Sequence, residues 1–360
     1  MDLILYTILP FAGILVVLIV VHELGHFMTA KLTGVKVMEA GLGYPPRIWG
    51  FTWRDTLYSI NWLPLGGFVR LLGEEDPSDP NSLAAKPRWV RLLVLASGSG
   101  MNFLLPVILF AIVFMIPRDV ATGPAIIDLV EEGSPAAEAG LQSSDKIVEL
   151  DGKSIKNVRE ASRAIYLNLG DTIDFTVQRP IFGGGSEELT IPVHARWTYP
   201  EGQGPTGIRI GNLSPFTEKE SFPLWEAVPK GTGEYLDTLV LFRNEVFTWF
   251  KSGSGPELAG PVGIAQATGE VVEQSGWEAL LELAALLSFN LAVINILPLP
   301  MLDGGRIVFV LLEIVRGGRK IAPEKEALVH LVGLALIITL AIVITVIDVN
   351  RIIGGESLFR

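Results

Sequence analysis

Apolar residues gather into four nearly uncharged stretches, Leu3 to Val21, Leu92 to Pro117, Leu283 to Leu302 and Leu328 to Ile347. Each has about the ~20 residues a helix needs to cross the hydrocarbon core, so the pattern predicts four membrane-spanning helices. Core helices of a large soluble enzyme would explain one such stretch more readily than four. The first begins Met-Asp with no basic segment and runs into His22 and Glu23 where a small-residue cleavage site would stand in a signal peptide. It is expected to stay in the mature protein.

The polar intervals differ from one another. Val35 to Val69 sets Gly41, Gly43, Gly50, Gly66 and Gly67 among Ile48, Trp49, Phe51, Trp53, Tyr58 and Trp62, which predicts short strands and turns. Such backbone at membrane depth needs protein or a water-filled cavity to cover its polar groups, so a hairpin dipping toward a site is expected, against an ordinary loop with interfacial tryptophans. Gly123 to Trp197 reads as a small mixed domain, with strands at 125–130, 146–150, 172–178 and 189–193 and helices after Ser134 and near 159–168. Phe222 to Phe250 suits a helix in the membrane interface, or an amphipathic helix packed on that domain.

The fold class expected is therefore membrane α-helical: four transmembrane helices, a re-entrant β element and one inserted α+β domain. Its order would be a first span over 1–34, a membrane-associated β-hairpin region over 35–88, a second span over 89–117, the small domain over 118–198, and a connector over 199–276 with an amphipathic interfacial helix. The third span would cover 277–305, and a cytoplasmic connector with the fourth span 306–360.

Composition agrees with a membrane chain: of 360 residues 49% are hydrophobic and only 19% charged, with a mean hydropathy of +0.44. The distribution of Lys and Arg adds orientation. Lys31, Lys36, Arg47, Arg54, Arg70, Lys86, Arg88 and Arg91 follow the first span, and Arg306, Arg316, Arg319, Lys320 and Lys325 lie between the third and fourth. Both segments should be cytoplasmic, leaving the termini and the small domain outside. A net charge of −11 provides no basic stripe for nucleic acid. The absence of cysteine removes disulfides, thiolate metal sites and a cysteine nucleophile.

Candidate chemistry lies at the end of the first span. His22 and His26 stand at i and i+4, so on a helix both imidazoles face one metal, with Glu23 beside it. That is the geometry of a hydrolytic Zn2+ site, in which a third protein ligand completes the set and Glu23 takes the proton of the attacking water. Two histidines and a carboxylate are costly at such a position unless they work there. Asp303, after Pro298 and Pro300 and on the cytoplasmic side of the third span, is the candidate third ligand; as a plain helix-end charge it would need no partner. Asn295, within that span, could offer its amide to a substrate backbone or cap a freed carbonyl. His194 and His330 lack metal-ligand spacing and read as structural.

His22-Glu23-Leu24-Gly25-His26, Pro64-Leu65-Gly66-Gly67-Phe68-Val69, Gly98 through Asn102, Gly260-Pro261-Val262-Gly263-Ile264-Ala265 and Asn295 through Gly305 together resemble the site-2 protease family. Within that family the chain resembles the bacterial PDZ-containing branch, which cleaves membrane-bound anti-sigma factors and signal-peptide remnants. The resemblance implies an intramembrane zinc metalloprotease in the bacterial cytoplasmic (inner) membrane, acting on single-span membrane proteins within the lipid bilayer. It implies Asp303 as a zinc ligand, Asn295 as a substrate contact, and Gly66 and Gly67 on strands that pair with substrate. The active site would face the cytoplasm and the PDZ domain the exterior. Ser134-Pro135-Ala136-Ala137, Ala139-Gly140-Leu141 and Asp145 to Gly152 carry the PDZ likeness. Ser144 stands where many such domains have glycine, and Ser99 follows Gly98 where relatives often have proline. Pro124 offers no amide in the Gly123-Pro124 loop, which favours screening of substrates by bulk over capture of a carboxylate. A catalytically silent PDZ-bearing scaffold is the alternative, and Glu23 argues against it.

Overall fold

The computed structural model describes residues 3–74, 76–200, 202–213, 216–253, 255 and 259–355. A π-helical turn over Leu3–Ile8 leads into α1 (Leu9–Leu32), followed by β1 (Val37–Trp53), β2 (Thr56–Leu71) and α2 (Arg88–Met115). Next come β3 (Arg118–Thr122), β4 (Ala125–Val130), α3 (Pro135–Ala139), β5 (Lys146–Leu150), β6 (Lys153–Ser154), α4 (Val158–Leu167), β7 (Thr172–Pro180), β8 (Ser186–His194), β9 (Ile208–Asn212) and β10 (Phe216–Glu220). The rest is helical: α5 (Leu224–Ser252), α6 (Pro261–Ser275), α7 (Ala279–Ile296), α8 (Asp303–Val315) and α9 (Pro323–Ile353). The chain divides into one unit of residues 1–113 and 258–360 and a second of 114–257.

In the first unit, four helices are long and apolar enough to cross a membrane: Ile4–Leu32, Arg88–Met115, Ala279–Ile296 and Pro323–Ile353. They coincide with the four apolar stretches of the sequence. The third departs from expectation at its end. The helix stops at Ile296 and Leu297 turns to an extended ψ of 148°, because Pro298 and Pro300 cannot supply the amides a helix needs to continue. Asp303 thus opens a separate helix, α8, instead of closing the third span, and much of the supposed connector after 305 is helical. Glu313 ties α8 to the start of α2 through Arg88 (3.2 Å) and Arg91 (2.5 Å). Burial raises the Glu313 pKa, but Arg91 and Arg88 outweigh it and hold the carboxyl below its ordinary value.

The glycine- and tryptophan-rich region forms two long, bent strands. Residues 37–42 pair on one side with 67–71, Gly41 opposite Phe68, and on the other with 57–60, Ala40 opposite Tyr58. Trp53 and Thr56 close the outer hairpin. Segment 67–71 therefore has a strand neighbour on one side only among the described residues, and a Cβ on Gly67 would stand 3.8 Å from Glu23 Cγ of α1.

The second unit is a sheet in the order β8-β7-β5-β4-β9, with β6 on β5, around a core of Ile127, Ile147, Leu150, Ile173, Phe175, Val177 and Val193. Ser144 holds φ +75°, the left-handed conformation that glycine takes most easily. Beside it Asp145 is fully buried and bonded by Arg179 at 2.7 and 2.8 Å. The outer strand β9 lies beyond residue 198, inside what the sequence suggested was connector, and β3 pairs with β10 across almost the whole unit. Gly123-Pro124 joins β3 to β4, whereas the sheet edge formed by β9 follows a turn at 204–207. The amphipathic helix packs on this domain: Asn244 Nδ2 donates to the carbonyls of Tyr166 (2.8 Å) and Leu167 (3.2 Å) at the end of α4, and Arg163 meets Glu234 and Asp237.

Candidate metal centre

On α1, His22 and His26 fall one turn apart and turn the same way, with Nε2 atoms 3.2 Å from each other. His26 Nδ1 donates to the Val94 carbonyl of α2 at 2.8 Å. A carbonyl can only accept, so Nδ1 carries the proton and Nε2 presents its lone pair to the site. From α8, Asp303 Oδ2 lies 3.2 Å from His22 Nε2 and 3.3 Å from His26 Nε2. Burial would raise the Asp303 pKa, but the two imidazoles hold the carboxyl well below the usual range.

These three groups could hold a metal ion, and their spacing fits one. A tetrahedral ion with bonds of ~2.0–2.1 Å sets its ligand atoms about 3.3 Å apart, and the three edges of this triangle are 3.2, 3.2 and 3.3 Å. The donor set, two imidazoles and a carboxylate, suits a catalytic zinc site.

The close approach of α2 depends on glycine. A Cβ on Gly98 would overlap His26 Nε2 and lie 2.7 and 2.8 Å from His22 Cε1 and Nε2, and one on Gly25 would overlap the Ser97 carbonyl. Gly98 is a determinant of the site that the spacing of ligands in the sequence does not disclose; the only signal was its place in a glycine-containing stretch opening the second span. Asn295 is brought to the same site, its Nδ2 atom 3.5 Å from His22 Nδ1. With the amide turned to offer its oxygen, Asn295 would accept the Nδ1 proton of His22 as Val94 does for His26. His194 lies exposed on β8 in the second unit, whereas His330, buried on α9, donates no atom to the cluster but accepts from the Met301 amide two residues before Asp303.

Glu23 faces a cavity of ≈ 350 Å³ between α1 and the sheet, lined by Val20, Leu24, Phe27, Ala40, Gly41, Leu42, Tyr58, Gly67, Phe68 and Val69. Glu23 is its one ionisable carboxylate. Gly67 borders it, and Gly66, at φ +92°, packs where a Cβ would stand 3.2 Å from Ile19 Cδ1 of α1. Two imidazoles and a carboxylate thus lie on adjacent turns of α1 beside an apolar groove, and Asp303 of α8 completes the donor set of a hydrolytic metal centre.

Comparison with known proteins decides the family. The profile of "Peptidase family M50" matches residues 10–340. The chain belongs to that family, the site-2 proteases. A candidate zinc metalloprotease of Fusobacterium nucleatum is 35% identical over 341 residues, covering 93% of this chain and 96% of the relative. One of Clostridium perfringens is 33% identical, covering 96% and 98%. The zinc metalloprotease RasP of Oceanobacillus iheyensis is 30% identical over 429 residues, covering 96% and 99%. This M50 protein is accordingly a zinc metalloendopeptidase, its cofactor Zn2+.

Proposed function

We propose that the protein hydrolyses peptide bonds within transmembrane segments of single-span proteins in the bacterial cytoplasmic membrane, with His22, His26 and Asp303 as the zinc ligands and Glu23 as general base. The observation that carries this reading is the meeting of Asp303, from the start of α8, with His22 and His26 of an apolar membrane-length helix, with Glu23 of that helix on the adjoining cavity. Bound zinc would supply Lewis-acid polarisation of the scissile carbonyl and a water nucleophilic at neutral pH. Glu23 would take the proton of the attacking water as general base and pass it to the leaving amine. Segment 67–71, which has a strand neighbour on one side only among the described residues, would offer backbone groups to an extended substrate as an added strand, with Gly66 and Gly67 keeping that approach clear of side chains. The apolar cavity receives side chains that come from lipid. The PDZ-like sheet of the second unit would stand outside the cytoplasm, as the Lys and Arg bias requires.

The test is a comparison of membrane proteins in cells carrying the wild-type protein or Glu23→Gln. Single-span proteins should accumulate uncut with the variant, and their absence would remove the proposed substrate class.

Asn295, placed near His22 and the substrate side, should act on turnover more than on the metal. Asn295→Ala is expected to slow cleavage of a transmembrane substrate about tenfold while a full equivalent of zinc remains, as loss of an outer contact does. Wild-type rates would return Asn295 to a purely structural role. For orientation, a reporter inserted after Gly73 should be cytoplasmic and one placed within 153–157 external. The reverse pattern would move the active site to the other face of the membrane.

A further inference from the structure

The loop that delivers Asp303 has an anchor of its own on the last helix. Between α7 and α8, Pro298 and Pro300 have no amides, and Leu299 and Leu302 donate within the loop, to Leu297 and Leu299. Met301 adopts φ +75°, a conformation that a non-glycine residue keeps only where its surroundings hold it. Its amide donates across 29 positions to Nδ1 of His330 at 2.9 Å. Gly333 is one turn along the same face of α9. A Cβ there would overlap Pro300 Cβ and lie 2.9 Å from its Cγ, so only glycine lets the loop seat against the helix. The His330 ring also lies against Phe309 of α8, with centroids 5.5 Å apart, and its side chain is 11% exposed.

We infer that His330 is a positioning residue for the third zinc ligand. By accepting the Met301 amide it fixes the backbone two residues before Asp303, and Gly333 supplies the seat for Pro300. Asp303 Oδ2 is thereby held at the apex of the triangle with His22 and His26 instead of swinging with a loose loop. This inference rests on the reading of those three residues as the zinc site.

The experiment uses the full chain in detergent, loaded with one equivalent of zinc and challenged with a chelator, alongside kcat and KM for a transmembrane substrate. His330→Phe keeps a ring against Phe309 and removes the acceptor. His330→Asn places an amide oxygen close to the position of Nδ1. The phenylalanine variant should release zinc at least about tenfold faster than wild type, the scale on which outer partners of metal ligands act, with kcat reduced and KM little changed. The asparagine variant should recover most of the difference. Gly333→Ala, which leaves His330 intact and displaces Pro300, should also release zinc faster. Zinc retention equal to wild type in His330→Phe, or equal losses in the phenylalanine and asparagine variants, would overturn the inference and leave the zinc site standing. Should His330→Phe fail to fold, wild-type retention in Gly333→Ala would overturn it in the same way. A wild-type chain that binds no zinc would overturn the metal site and this inference together.

Discussion

Glu23→Gln is expected to lower peptide hydrolysis by about 10²–10⁴-fold, the span that a positioned general base contributes. That is roughly 3–5 kcal/mol of transition-state stabilisation. The substitution keeps the shape of the side chain and removes its ability to take a proton. It leaves His22, His26 and Asp303 in place, so zinc content and thermal stability should match the wild type. Glu23 lies on the apolar cavity between α1 and the sheet, and among the described residues lining that space no other acidic group could substitute for it. The measurement is cleavage of a single-span substrate in liposomes with zinc determined on the same sample. Cleavage by the variant within a fewfold of wild type would remove Glu23 from the reaction.

Gly98→Ala should also be damaging, from a position that carries no chemistry. The added Cβ would overlap His26 Nε2 and crowd both Cε1 and Nε2 of His22. Neither imidazole can retreat freely, because His26 is held to the Val94 carbonyl and α1 is pressed onto the α2 backbone at Gly25 and Ser97. Overpacking of this kind typically costs about 1–3 kcal/mol, and the strain falls directly on the ligand nitrogens. Bound zinc is expected to drop about tenfold or more, with activity falling in step. Gly100→Ala is the control on the same helix: nothing lies within 4 Å of a Cβ there, so zinc and activity should be retained. A Gly98→Ala protein with full zinc occupancy would show that the helices separate readily and that the contact is not a determinant of the site.

The parts of this protein that follow from local pattern were legible in its sequence. Four uncharged stretches became four long apolar helices, the i, i+4 histidines face one point, and the alternation of glycine with aromatic residues became two strands. Asp303 could be chosen as a partner for the histidines because the positive-inside bias put both at the same face. What escaped the sequence depends on contacts between distant segments. Strand β9 completes a sheet through β4, some 80 positions earlier, and no turn signal announces such a pairing. The break between α7 and α8 was marked by Pro298 and Pro300, but that Asp303 begins a helix is a consequence of how Gly304 and Gly305 close on the carbonyls of Ile296, Leu297 and Leu299. Gly98 has no side chain to announce a role, and only the position of His22 and His26 gives it one. His330 lacked the spacing of a metal ligand and read as structural; its bond to Met301 connects it to the site through backbone that a sequence pattern cannot represent.

The most direct test of the account is the zinc content of the purified full chain, measured for wild type and Asp303→Ala after removal of loosely bound metal. The central claim is that a carboxylate from α8 completes a set begun by two histidines on α1. Wild type should hold one zinc per chain, and Asp303→Ala, with two imidazoles left, should lose most of it while keeping its helical content. A full equivalent of zinc retained by Asp303→Ala would contradict the claim and place the third ligand elsewhere in the chain.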